Sequence, residues 1–154
     1  MTRPEFAADA AGSAGRIYQE AIKALANAAT GHGALVAPDG RAFIDNPLCG
    51  DCVEMEVNVA GSVITALAHQ VKGCLLCRAA ASVIGKRAVG ARPEEVEQIS
   101  AGVSAMLEHQ APPPAGWHEL SAFAPVHGHR SRYDCVRLPF QALLAALRAA
   151  RERG

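Results

Sequence analysis

"DCVEMEVNVAGSVITALAHQVKG", residues 51–73, decides the fold. Val53, Met55, Val57 and Val59 alternate with Cys52, Glu54, Glu56 and Asn58, the pattern of a strand with one buried and one wet face. Ala60 and Gly61 supply a hairpin turn, and "SVITALAHQVKG" returns as the partner strand. Upstream, "RAFIDN" (41–46) provides a third, shorter strand. An antiparallel sheet of about three strands becomes viable once helices cover one of its faces.

Helical periodicity surrounds this core. "GRIYQEAIKALANAA" (15–29) carries Ile17, Tyr18, Ala21, Ile22 and Leu25 on one side, and "TGHGALVAPDG" then breaks it. After Gly73, "CLLCRAAASVIGK" turns helical, its alanines small enough for close packing on the sheet. In "ARPEEVEQISAGVSAMLEHQ" (91–110), Pro93 suits a first turn and Glu94 and Glu95 suit the positive end. Val96, Ile99, Val103, Met106 and Leu107 form its apolar stripe. "APPPAGWHELSAFAPVHGH" is a long connector with a short helical piece around Glu119. "RLPFQALLAALRAARER" closes the chain as a helix, with Pro139 in its first turn. The order predicts an α+β fold: a three-stranded antiparallel sheet with helices packed on one face.

At 154 residues, half of them apolar, residues 1–154 fit a single domain, with 1–12 flexible. A net charge of zero with sparse charged residues leaves no electrostatic footprint for nucleic acid or an anionic membrane. No secretory signal or spanning segment is present, so a cytoplasmic location is expected, where thiols stay reduced. Five cysteines there argue for metal or sulfur chemistry rather than a disulfide framework.

Three arrangements of those cysteines are open. Cys49-x-x-Cys52, 21 residues, then Cys74-x-x-Cys77 is close to the spacing of a structural zinc site with four thiolates. Cys74 and Cys77, at the start of a helix, could instead be a redox dithiol, although the βαβ setting of such sites is missing. In the third arrangement Cys49 and Asp51 from a loop, Cys74 from a strand end and Cys135 before the last helix meet at one end of the sheet. Three thiolates and a carboxylate fill a tetrahedral shell, whose surplus negative charge Arg132 or Lys72 could offset. The hard aspartate oxygen would be its most easily released vertex.

"NPLCGD", "KGCLLCRAAAS" and "RYDCVRLPFQALLAAL" resemble the three signature segments of the IscU/NifU N-terminal-like iron–sulfur cluster scaffold family. The resemblance runs from about Ile17 to the C-terminal helix. The 60 residues between Cys74 and Cys135, and Arg132 ahead of Cys135, are similar to its longer, SufU-like branch. The resemblance implies a non-enzymatic scaffold or sulfur relay, served by a pyridoxal-phosphate cysteine desulfurase and passing clusters to apo iron–sulfur acceptor proteins. It implies Cys49, Asp51, Cys74 and Cys135 as ligands to a transient Fe–S cluster or iron, with zinc in the isolated protein, and Cys135 as the persulfide acceptor.

The sequence also departs from the family. Asp134 replaces a histidine or lysine, the Leu-Pro-Pro-Val-Lys chaperone segment is absent, and "ALANAATGHG" replaces a His-rich stretch. A DnaK-type chaperone is therefore not an expected partner. Cys52 and Cys77 are extra thiols. Cys77, Arg132 and Asp134 are candidate accessory residues, Cys52 a bystander, and His127 and His129 lie close enough in sequence to Cys135 to be considered as ligands.

Overall fold

The computed structural model describes residues 19–153, so the proposed flexible stretch 1–12 and the start of the first helix, with Ile17 and Tyr18, lie outside the described residues. Within them the order is α1 (Glu20–Ala28), β1 (Gly40–Asn46), β2 (Asp51–Ala60), β3 (Val63–Lys72), α2 (Leu75–Arg87), α3 (Pro93–His109), a 3-10 segment (His118–Gly128), a 3-10 turn (Arg130–Arg132) and α4 (Tyr133–Arg153).

The sheet is antiparallel throughout, in the order β1-β2-β3. Its pleat separates Val53, Met55 and Val57, all fully buried, from Cys52, Glu54 and Asn58 on the other face. Burying side chains of this kind stabilises by about 1.5–3 kcal/mol each, so a one-residue slip of register is strongly disfavoured. The register shifts once, between Asn58 and Val59. The two residues that make the hairpin turn are Gly61 and Ser62, one position later than expected, with φ of 60° and 65°. A two-residue turn with both centres left-handed matches the twist of the strands it joins.

The helices lie on the buried face, with α4 crossing β1 and β2 while α2 packs against α1, α4 and β3. Ala79, Ala80 and Ala81 are fully buried, but α4 already covers most of the sheet. The alanines of α2 therefore seat it mainly against α1 and α4 rather than on the strands. The opposite sheet face is not simply wet. The segment after α1 lies across it, and the Leu35 amide donates to Glu56 Oε1 at 2.7 Å, leaving Glu56 buried. Period-two alternation could not register this cover, because it comes from a loop.

The last helix starts four residues before Arg137, so Cys135 sits inside its first turn rather than ahead of it. Pro139 is then in the second turn. Having no N–H, it releases the carbonyl of residue i−4, which is Cys135.

Candidate metal and sulfur site

One end of the sheet gathers the chemistry. The β1–β2 turn delivers Cys49, β2 opens with Asp51, the residue after β3 and Gly73 is Cys74, and α4 brings Cys135 across the buried face. One ligand atom each from Cys49, Asp51 and Cys135 lie within 4.8 Å of one another, the single such group among the described residues. The Cys74 sulfur is not part of that 4.8 Å group, but the residue touches two of its members. Its amide donates to Asp51 Oδ1 at 3.1 Å, and its sulfur shares a hydrogen bond with the Cys135 thiol.

Local structure explains each position. Cys74 is the N-cap of α2, with extended backbone, so its sulfur sits at the positive end of the helix. The Cys135 thiol's hydrogen bond lowers the Cys74 thiol to about 7, and the Cys77 and Leu76 amides of the first helical turn act in the same direction. Cys135 is pushed the other way, first by that shared hydrogen bond and then by burial. The shared hydrogen bond thus favours negative charge on Cys74 over Cys135. Gly73 leaves room for the carboxylate. A Cβ there would lie 2.7 Å from Asp51 Cγ and from Asp51 Oδ1.

Asp51 is 4% exposed, and its Oδ2 is buried without a hydrogen-bond partner among the described residues. Leaving such an oxygen bare costs about 1–3 kcal/mol, more when charged. Two sulfurs beside an orphaned carboxylate oxygen, with the Cys74 thiol hydrogen-bonded to one of them, are a donor set that a divalent, thiophilic ion fits. Exposure is graded across the group: Cys49 is exposed, Cys74 half-buried and Cys135 buried.

Cys52 and Cys77 stand apart from this set. Cys52 is on the sheet face opposite the helices, between Asp45 and Lys72 in register. Cys77 is fully buried in the core, where burial and then the Asp51 charge push its thiol upward. The four-thiolate zinc arrangement is therefore not assembled. Nor does Cys77 suit a redox partner, since its thiol is sealed in the core outside the group that Cys49, Asp51 and Cys135 form. Asp134 is exposed and pairs with Arg137 at 3.3 Å, so it does not compete with Asp51. Arg132 lies in the turn that leads into α4, and Lys72 sits across the sheet from Cys52. His127 bonds the Leu107 carbonyl through Nδ1 at 2.5 Å, and its own carbonyl accepts from Tyr133 Oη at 2.6 Å, so it acts as a clasp for the connector. Neither His127 nor His129 belongs to the ligand group.

The sequence reading missed the anchor of the connector. Glu119 accepts from Arg87 Nη2 at 2.6 Å and lies 3.0 Å from Lys86 Nζ, tying the 3-10 segment to the end of α2. It also missed His69. Its place opposite Met55 in the register puts it on the buried face, a signal the period-two pattern did contain.

A three-stranded sheet backed by helices, with thiols and a carboxylate collected at one end, is the IscU/NifU-N class of α+β protein. The chain belongs to the family of NifU-like N-terminal domains, whose profile matches residues 17–120. Cys135 lies beyond that segment. Among solved structures, the N-terminal part of a nitrogen-fixing NifU-like protein from Brucella abortus is 29% identical, with a TM-score of 0.88 over 92% of this chain and 99% of that one. A putative iron–sulfur cluster assembly scaffold protein for the SUF system from Fervidobacterium islandicum AW-1 shares the fold at 22% identity. Its TM-score is 0.79 over 86% of this chain and 98% of that one. No curated protein matches the sequence. No helix among the described residues is long and apolar enough to cross a membrane.

Proposed function

We propose that this protein is an iron–sulfur cluster assembly scaffold and sulfur relay that holds iron, zinc or a nascent cluster through Cys49, Asp51, Cys74 and Cys135. The observation that carries the reading is the meeting of Cys49, Asp51 and Cys135 within 4.8 Å, with Cys74 bonded to two of them. Iron and sulfide are the cargo. A mixed donor set suits temporary custody: thiolates supply affinity, and the harder carboxylate oxygen is the vertex that yields first.

The exposure gradient suggests a direction for sulfur. The donor is a pyridoxal-phosphate cysteine desulfurase carrying a persulfide. Exposed Cys49 attacks its terminal sulfur; a new S–S bond forms on Cys49 while the donor's S–S bond breaks and leaves a thiolate. Cys135, within 4.8 Å of Cys49, then bonds to the same sulfur as the Cys49–sulfur bond breaks, its proton passing to the departing Cys49, and becomes the acceptor. Cys49 is restored as thiol. The receivers of finished clusters are apo iron–sulfur proteins, and five unpaired cysteines suit a reducing, cytoplasmic setting. The chain works as a carrier rather than as an enzyme, and no DnaK-type chaperone is invoked.

Anaerobic incubation with ferrous iron, cysteine and a cysteine desulfurase tests the reading. Visible Fe–S absorption that moves to an apo-acceptor is expected. If the chain only accelerates the desulfurase and never colours, it is a sulfur acceptor and not a scaffold.

A further inference from the structure

We propose that His32 and His69 form a second divalent-metal site, separate from the thiol and carboxylate group. The segment after α1 runs alongside β3. The His69 amide donates to the Gly31 carbonyl at 2.9 Å, the Gly33 amide donates to the His69 carbonyl at 3.0 Å, and His32 and His69 face each other across a parallel bridge. Bridge partners leave the backbone on the same side, with Cβ atoms about 5 Å apart, so the two imidazoles are neighbours.

The tautomer of His69 follows from its partners. Nε2 is 2.8 Å from the Thr30 carbonyl, which can only accept, so Nε2 carries the proton. Nδ1 is left with its lone pair, buried and without a hydrogen-bond partner among the described residues, on a side chain 3% exposed. Burial keeps the ring neutral. One ring N–H fixed on a backbone carbonyl while the other nitrogen stays bare is the arrangement found behind metal-ligating histidines.

The carbonyl that fixes the ring is itself held. The Thr30 amide donates to Ser82 Oγ at 3.1 Å, and Gly31 and Gly85 let the segment lie directly against α2. A Cβ on Gly85 would fall 1.9 Å from the Thr30 oxygen. Both histidines line a cavity of about 200 Å³, together with Ala26, Ala29, Val71 and Arg78. Two imidazoles are borderline donors that suit zinc, ferrous iron, nickel or copper. The exposed Arg78 at the rim opposes a bare cation, which limits affinity and gives the proposal its sharpest test.

The probe is zinc, titrated into full-length protein with Cys49, Cys74 and Cys135 changed to serine. In parallel, the wild type is followed past one equivalent by the ¹⁵N shifts of its imidazoles, which keeps the test valid if the triple variant fails to fold. Expected are a shift of His69 Nδ1 with the second equivalent and weakening by roughly tenfold or more in His32→Ala, an exposed position. Arg78→Gln should tighten zinc. No zinc bound by the triple variant together with no shift of His69 Nδ1 in the wild type, or binding indifferent to His32→Ala, overturns the proposal. Weaker zinc binding in Arg78→Gln also overturns it, because Arg78 would then support the ion rather than oppose it.

Discussion

Gly73→Ala isolates the steric basis of the site. The added methyl would sit 2.7 Å from Asp51 Cγ and Oδ1, against about 3.5–4 Å for an unstrained contact, so the carboxylate must move by roughly 1 Å. Gly73 is not among the positive-φ residues, so backbone strain does not contribute. Reduced freedom of the unfolded chain would by itself stabilise the variant by about 0.4–1 kcal/mol. Two opposing effects are larger: overpacking costs about 1–3 kcal/mol, and a strained or lost bond from the Cys74 amide to the carboxylate adds about 1.5–3 kcal/mol at most. These overlap, since moving the carboxylate relieves the clash at the expense of the bond, and the net expectation is a loss of about 2 kcal/mol. Urea unfolding of the metal-free protein measures it. Zinc competition against a chelator should show affinity lower by on the order of 10–100-fold, as for other changes to groups that orient a ligand. A variant as stable as wild type, within about 0.5 kcal/mol, and as tight within about twofold would mean that Gly73 does not position Asp51.

Cys135→Ser should abolish stoichiometric metal while Cys52→Ser retains it, counted by elemental analysis of each purified variant; the reverse result would restore the four-thiolate zinc arrangement. Cys77→Ala should lower stability by about 1 kcal/mol through a small core cavity, with metal content unchanged, as read by urea unfolding and metal analysis. Arg87 holds the Glu119 carboxyl at about 2, below its usual 4.5, so between those values the unfolded chain binds more protons than the folded one. This contribution to stability is complete above pH 4.5 and fades as pH falls toward about 2. Glu119→Gln should lower the melting temperature at pH 7 and flatten its decline in acid, and a variant melting like wild type at both ends would remove the connector's anchor from the account.

The hairpin and the core were legible because strand alternation is a local signal: Val53, Met55 and Val57 declare their face with no help from distant residues. The ligand set was a different problem. Spacing pairs Cys49 with Cys52 and Cys74 with Cys77, whereas pleat and helix geometry send Cys52 to the far face and Cys77 into the core. Only the course of α4 over the sheet brings in Cys135, and a helix path is a tertiary property. The covered Glu56, the clamped Glu119 and the orphaned nitrogen of His69 stayed hidden for the same reason. Each depends on a partner at least a score of residues away, which no window of sequence contains.

Cys135 enters from the last helix, whereas the other three members of the group come from the first half of the chain. A ribosome therefore finishes the sheet well before it releases the segment that closes the corner. An ion captured there would staple the terminal helix to the strands and draw the equilibrium toward the closed chain by mass action. Cargo and completion of folding would then report on each other: a molecule with a loosened tail is an empty one.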